Sequence, residues 1–90
     1  MKKPDLSNIK LEKVIGVSGD EPIGAEAILQ DTDGLIWVGA QSGFYRYDGL
    51  IFKKLLDVMV ISIYEMSNGN LLLLSFNRMV EYNRVTETFQ

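Results

Sequence analysis

Glycine-containing turn dipeptides cut this chain into short apolar runs and restrict its fold more than any other feature. The dipeptides are Asp33-Gly34, Ser42-Gly43, Asp48-Gly49 and Asn68-Gly69. Asp-Gly and Asn-Gly supply the positive φ angles that tight hairpins need. No apolar run between the turns keeps the spacing of an amphipathic helix, whereas short runs bounded by turns are typical of strands. The sequence therefore predicts an all-β fold of short antiparallel strands.

The apolar runs predict where these strands lie. Two runs, "LIWV" and "LLLL", are apolar at every position, which indicates strands covered on both faces of their sheet. The predicted strands are Ile9–Ile15, Gly24–Gln30, Leu35–Ala40, Phe44–Tyr47, Leu50–Leu55, Val58–Tyr64, Leu71–Phe76, Met79–Tyr82 and Val85–Phe89.

The chain also repeats itself at a distance of 35 residues, a shift that lays Ile28–Val38 over Ile63–Leu73 and Gly34 over Gly69. Each copy holds four short strands in up-and-down order. A four-stranded unit repeated at this period indicates the blade of a β-propeller. The predicted organisation is an N-terminal tail at 1–8, a leading strand and Gly/Ser loop at 9–23, a first blade at 24–56 and a second, degenerate blade at 57–90.

The first copy, "ILQDTDGLIWVGAQSGFYRYDGLIFKKL", closely resembles the two-component regulator propeller repeat. That repeat runs Asp-x-x-Gly-x-x-Trp-x-Gly-Thr, then Gly-Leu-x-Arg-Tyr-Asp-Gly and a closing Phe. The chain departs from it at Ala40, where Thr is usual, and at Phe44, where Leu is usual. The matching residues are Asp31, Gly34, Trp37, Gly39, Gly43, Arg46, Tyr47, Asp48, Gly49 and Phe52.

The second copy matches the repeat less well. Leu72 stands in place of the Trp, Leu74 in place of the Gly and Arg78 in place of the next Gly. The resemblance covers roughly Ala25 to Phe89. Further residues for which we predict a structural role in the repeats are Asp33, Phe44, Asn68, Gly69, Leu72 and Tyr82.

The resemblance implies a function. The family forms the extracytoplasmic sensor region of hybrid two-component systems, in which blades act as a scaffold and pass carbohydrate-derived signals to a histidine kinase. It implies a non-catalytic ligand-sensing scaffold outside the cytoplasmic membrane, although the start "MKKPDLSNIK" lacks the apolar segment of a secretory signal. Two alternatives stay open: a structural, self-assembling β-repeat unit, and a fragment of a propeller-type glycan-active enzyme.

Asp31, Thr32 and Asp33 are the first candidates for a metal site. An EF-hand loop with Gly34 at its sixth position would have Leu29 at its first and Ala40 at its twelfth, so both end ligands are missing. The preferred interpretation is a turn, in which Asp33-Gly34 closes a hairpin and Asp31 accepts backbone N–H bonds. We predict neither a metal nor a cofactor.

Catalytic residues are also scarce. The chain has no His and no Cys, which removes the usual general base and the thiolate nucleophile. The segment "GVSGD" at Gly16–Asp20 lacks the final Gly of a nucleophile elbow. Carboxylates such as Asp20 and Glu21 have no predicted partner across a cleft. We therefore predict that the chain is not an enzyme.

Charge and segment length argue against nucleic acid and membrane as partners. Nine Lys and Arg against twelve Asp and Glu give a net charge of −3, and we expect no face to gather enough basic residues to neutralise a phosphate backbone. The longest uncharged apolar stretch, Val58–Tyr64, is far too short to cross a bilayer. The resemblance implies a carbohydrate-derived ligand, and the sequence does not identify the residues that would bind it.

The aromatic residues of the first copy suit either a sugar platform or a packed core. Trp37 lies in the middle of an apolar run, which favours a place between sheets. Packing is favoured over sugar binding for Phe44 and Tyr47 as well. The role of Tyr45 is left open. Arg46 and Arg78 are expected to form ion pairs at edges or in loops.

Two blades cannot close a ring, because propellers have about four to eight blades and each covers its neighbours. An isolated chain would expose two apolar faces, and the uncharged run "LLLLSF" would favour aggregation. The expected partners are therefore further blades of a longer chain or other copies of this one. The leading strand at Ile9–Ile15 is a candidate for strand exchange between copies.

Overall fold

The computed structural model describes residues 21–90, which form two four-stranded antiparallel sheets. The first sheet contains β1 (Ala25–Gln30), β2 (Ile36–Ala40), β3 (Gly43–Tyr47) and β4 (Phe52–Leu56). The second sheet contains β5 (Ser62–Glu65), β6 (Leu71–Leu74), β7 (Met79–Asn83) and β8 (Thr88–Phe89). In both sheets the strands lie side by side in chain order. The prediction of an all-β fold with two four-stranded antiparallel units is confirmed.

Several strand boundaries differ from the predicted ones. The predicted strand Val58–Tyr64 begins only at Ser62, because residues 57–61 connect the two sheets. The predicted strand Val85–Phe89 shrinks to Thr88–Phe89, because residues 84–87 form a turn. The tail at 1–8, the strand at Ile9–Ile15 and most of the loop at 9–23 lie outside the described residues. Among residues 21–90 there is no helix long and apolar enough to cross a membrane.

The first hairpin turns of the two sheets share one backbone arrangement. The amide of Gly34 donates to the carbonyl of Asp31 over 2.9 Å, and the amide of Gly69 donates to the carbonyl of Met66 over the same distance. The two glycines have φ angles of 89° and 88°, which residues with a Cβ rarely adopt. The 35-residue repeat is therefore a repeat of backbone geometry in these turns.

The two sheets pack face to face around an aromatic centre. Trp37 and Phe44 of the first sheet stack at 5.7 Å between ring centroids. Tyr82 of the second sheet meets both rings edge-on, at 5.6 and 5.5 Å. Offset and edge-to-face contacts are the favoured geometries for aromatic rings. The buried residues of this core are Trp37, Phe44, Val60, Ile63, Leu71, Leu73 and Tyr82.

The other face of the first sheet is buried as well. Tyr45, Tyr47 and Phe52 lie in a second cluster there, with ring centroids 4.5 Å apart between Tyr47 and Phe52. Every residue of β2 is buried, as its apolar sequence predicts. In β6, by contrast, Leu71 and Leu73 are buried whereas Leu72 and Leu74 are only partly so. The sequence predicts two exposed apolar faces. In the structure the outward face of the first sheet is buried, and that of the second sheet is partly exposed.

Gly39 permits the close approach of the connection between the sheets. A Cβ at Gly39 would lie 2.8 Å from both the carbonyl oxygen and Cγ1 of Val60. The amide of Val60 donates to the carbonyl of Ala40 over 3.0 Å, so the connection cannot withdraw without losing that bond. Glycine is needed here for space.

We expect Gly39→Ala to lower the free energy of unfolding by about 1–3 kcal/mol, the usual cost of overpacking a core. Gly49→Ala is the comparison variant, because a Cβ there would meet nothing within 4 Å, so that its cost of about 1 kcal/mol comes from the φ of 101° alone. Urea unfolding compares the two variants. A Gly39→Ala protein as stable as the native chain would contradict the close contact with Val60.

Candidate functional site

The carboxylate of Asp31 lies at the junction of the two sheets, and its side chain is fully buried. Its Oδ1 accepts hydrogen bonds from the amides of Asp33 and Leu35, at 2.9 and 3.0 Å. Its Oδ2 accepts the indole N–H of Trp37 over 2.7 Å. The turn and the adjacent strand β2 therefore fix this carboxylate from three sides.

Arg84, from the last turn of the second sheet, reaches across to this carboxylate. Its Nη1 forms an ion pair with Asp31 Oδ2 and lies 3.3 Å from Asp33 Oδ2. Its Nε donates to the carbonyl of Gly69 over 2.6 Å, and its Nη2 lies 3.9 Å from Glu65 Oε2. The guanidinium thus joins the first turn of one sheet to the first and last turns of the other. We call Asp31, Asp33, Glu65 and Arg84 the junction cluster.

A second link joins the same two turns. Thr32 of the first sheet donates to Glu65 Oε2 through its hydroxyl, over 2.8 Å, and through its amide, over 3.3 Å. Glu65 ends β5, so its carboxylate stands beside the first turn of the neighbouring sheet. The two sheets are therefore held together by polar contacts at this end as well as by the apolar core.

The pKa of Asp31 lies below its ordinary value. Burial is the largest influence and raises the pKa, but it is outweighed by the opposing contributions together. These are the hydrogen bonds from Trp37 and Leu35 and the positive charge of Arg84, all of which favour the ionised carboxylate. The carboxylate is therefore charged near neutral pH and forms a true ion pair with the guanidinium.

A lowered pKa makes this pair sensitive to acid. Because the folded pKa of Asp31 is below the unfolded value of about 3.9, its stabilising contribution is present above about pH 4 and is lost as the pH falls through the folded pKa. We expect Asp31→Asn to lose less stability than the native chain between pH 7 and pH 3, as measured by urea unfolding. Asp57→Asn, which alters an exposed carboxylate, should keep the native loss. Equal losses in the native and Asp31→Asn chains would contradict this assignment.

An open cleft of about 470 Å³ adjoins the junction cluster. Its lining residues supply two hydroxyl groups, one carboxylate and the apolar side chain of Met66, and none of them is cationic. Glu65 is the single carboxylate among the lining residues. The lining residues are Thr32, Glu65, Met66, Ser67 and Gly69.

Within residues 21–90 no group of three or more His, Cys, Asp or Glu residues has an arrangement that could hold a metal ion. The carboxylates of Asp31, Asp33 and Glu65 converge instead on the guanidinium of Arg84.

No family model matches the chain, and comparison with curated proteins and solved structures found no match. Membership of a propeller family therefore stays a prediction from the residues of the first repeat.

The remaining predicted residues occupy turns and the core. Asp48 accepts the amides of Leu50 and Ile51, at 2.8 and 3.0 Å, and these bonds lower its pKa. The Nη1 of Arg46 lies 3.7 Å from Glu87 Oε1, so a half-buried guanidinium and an exposed carboxylate pair between the sheets. Asn68 accepts the amide of Asn70 over 3.0 Å in the turn next to the cleft. Of the predicted structural residues, only Asp31 and Asp33 belong to the junction cluster.

The structure argues against a sugar-stacking role for Tyr45. It is 1% exposed. Its hydroxyl is hydrogen-bonded to Ser42 Oγ over 2.6 Å. It lies in the same cluster as Tyr47, whereas Phe44 faces the core between the sheets. Packing accounts for all the aromatic residues of the first copy.

Arg84 and Glu65 are the site residues that the sequence pattern did not reveal. Under the 35-residue shift Arg84 falls on Gly49, a turn residue of the first copy. The last turn of the second sheet is longer: Tyr82 pairs with Phe89 there, whereas Tyr47 pairs with Phe52 in the first sheet. This departure from the repeat was the available signal, since a charged residue stands where the first copy has a turn glycine.

Proposed function

We propose that this chain is a non-catalytic part of a β-propeller scaffold, from the sensor region of a two-component system, that binds carbohydrate-derived signals outside the cytoplasmic membrane. The main support is that two sheets of the same four-stranded up-and-down order follow one another and stack face to face. Neighbouring blades of a propeller pack in this way. The sensor role, and a histidine kinase as the receiver of the signal, are proposed from the resemblance of the first copy to the two-component regulator repeat.

The cleft beside the junction cluster is the proposed binding site. Its wall offers the hydroxyls of Thr32 and Ser67 and the carboxylate of Glu65. Such groups exchange hydrogen bonds with a polyhydroxyl ligand. Because the lining residues include a carboxylate and no cation, a neutral sugar is favoured over an acidic one. The cleft lies between turns of both sheets, so a bound ligand would contact both repeats.

The alternative of a glycan-cleaving enzyme receives less support from the cleft. Glycoside hydrolysis uses two carboxyl groups placed about 5–9.5 Å apart across the scissile bond. Glu65 stands alone among the lining residues and accepts two hydrogen bonds from Thr32. Binding without hydrolysis is therefore the better fit.

Thermal unfolding with a panel of neutral oligosaccharides tests the proposal. A ligand at ten times its Kd stabilises the folded state by about 1.4 kcal/mol, which raises the Tm of a domain this size by roughly 5–10 °C. The Ser67→Ala variant should reduce the shift. Ser75→Ala is the matched control, since Ser75 lies in the loop between β6 and β7, outside the cleft lining. A well-folded chain that no oligosaccharide stabilises would contradict the carbohydrate assignment.

A further inference from the structure

Among the described residues, none buries one face of the second sheet as fully as the core between the two sheets is buried. On this face Tyr64 and Met79 are 54% and 68% exposed, and Leu72 and Leu74 are partly buried. The adjacent residues of the same strands, such as Ile63 and Leu73, point into the core instead. We call Tyr64, Leu72, Leu74, Met79 and Glu81 the outer face.

The outer face has a direct counterpart in the first sheet. Cross-strand pairing places one residue from each of three adjacent strands in a row, and the rows of the two sheets coincide under the 35-residue shift. One row is Leu29, Trp37 and Arg46 in the first sheet and Tyr64, Leu72 and Glu81 in the second. The next row is Ala27, Gly39 and Phe44 in the first sheet and Ser62, Leu74 and Met79 in the second.

In the first sheet this counterpart face is occupied. Trp37 and Phe44 pack against Leu71, Leu73 and Tyr82 of the second sheet. Arg46, on the same face, pairs with Glu87 of the second sheet. The face that covers the first sheet is thus aliphatic and aromatic and carries an acidic side chain opposite the basic one.

We infer that the outer face docks a third four-stranded β-unit, in the way that the second sheet docks on the first, and that this unit carries a Lys or Arg opposite Glu81. The charge follows from the reversal at equivalent positions, since Glu81 stands where the first sheet has Arg46. An acidic side chain like Glu87 would place two carboxylates together, whereas a cation would restore the pair. The inference rests on the repeat architecture of the proposed function.

The outer face also specifies the size of its partner's side chains. Leu74 stands where the first sheet has Gly39, so the connection into the third unit cannot carry a residue as large as Val60 against it. Leu72 and Met79 replace the larger rings of Trp37 and Phe44, which leaves room for bulkier side chains on the partner. The third unit therefore needs a small residue before its first strand and a full apolar face.

A fused chain supplies a suitable probe: residues 1–90 followed by a second copy of residues 57–90. The appended copy brings the face that already covers the first sheet. It carries Val60→Gly, which makes space beside Leu74 of the original repeat. It also carries Met79→Leu, so that Met79 is present in the original repeat alone and its oxidation can be measured there. Its Glu87 is either kept or changed by Glu87→Lys. Oxidation of the original Met79 by hydrogen peroxide, followed by mass spectrometry, measures cover on the outer face.

We expect Met79 to oxidise about fivefold or more slowly in the Glu87→Lys fusion than in the 90-residue chain. The fusion that keeps Glu87 should oxidise roughly two to five times faster than the Glu87→Lys fusion, the effect of one exposed ion pair. Adding Glu81→Arg in the original repeat should reverse that order. Equal oxidation rates in the fused and 90-residue chains, or an order that Glu81→Arg does not reverse, would overturn the inference.

A positive control tests whether the appended unit folds and can cover a face. In it the original repeat carries Leu72→Trp, Leu74→Gly and Glu81→Arg, which recreate the occupied face of the first sheet, and the appended copy keeps Val60 and Glu87. Protection of Met79 in this control but not on the native face overturns the inference. A 90-residue chain that dimerises in light scattering with Met79 already protected also overturns it, in favour of a second copy. A failed sugar response leaves these rates unchanged, so the two proposals fail separately.

Discussion

Replacing Asp31 with alanine is expected to lower the free energy of unfolding by about 3–5 kcal/mol, the usual cost of breaking a buried ion pair from one side. The variant leaves the guanidinium of Arg84, 16% exposed, without its buried partner. It also leaves the buried indole N–H of Trp37 without its hydrogen-bond acceptor. A loss of this size is a large fraction of the stability of a small domain. Urea unfolding at neutral pH measures it.

Asp33→Ala is the matched control for this experiment, because it removes a carboxylate 71% exposed and 3.3 Å from the same guanidinium. It should cost about 1 kcal/mol or less, as expected for an exposed pair. Asp31→Asn, which keeps one acceptor oxygen, should fall between the two and preserve the fold. If both alanine variants were equally stable, Asp31 would not hold the junction.

Leu73→Ala is expected to cost about 2–5 kcal/mol, because it opens a cavity between the two sheets. Leu73 is 1% exposed and belongs to the same core as Trp37. Trp37 is the one tryptophan of the chain, so its fluorescence reports directly on this core. We expect a lower urea midpoint in the variant. The red shift of Trp37 emission that accompanies unfolding should therefore occur at a lower urea concentration than in the native chain.

Met79→Ala is the control for the core variant. It removes as many heavy atoms as Leu73→Ala, but from a side chain 68% exposed on the outer face. It should cost about 0.5 kcal/mol or less, as surface substitutions generally do. Equal costs for the two variants would mean that the sheets do not pack through Leu73, and the described core would be wrong.

The fold was largely predictable from local sequence. Turn dipeptides such as Asp33-Gly34 and Asn68-Gly69 mark hairpins through their φ requirement, and the structure places hairpins there. The apolar run of β2 correctly indicated a strand buried on both faces. These features depend on residues close together in the chain, which is why pattern and structure agree on them.

The junction was harder to predict, because its partners are distant in sequence. Asp31 was expected to bind backbone amides, and it does, but its ion pair with Arg84 spans 53 positions. A single sequence contains no signal for such a pair beyond the broken repeat at Arg84. The apolar run predicts a strand that begins at Val58, whereas residues 58–61 belong to the connection between the sheets. Periodicity alone cannot distinguish a buried connection from a strand.

The contact between Asp31 and Arg84 gives the tandem a polarity. The turn of the second repeat that corresponds to Asp31 has Met66, and the turn of the first repeat that corresponds to Arg84 has Gly49. Donor and acceptor therefore meet only when the unit bearing the arginine follows the unit bearing the aspartate. Shuffling the two units into the opposite order would separate these charges, so the modules are not interchangeable building blocks despite their shared outline.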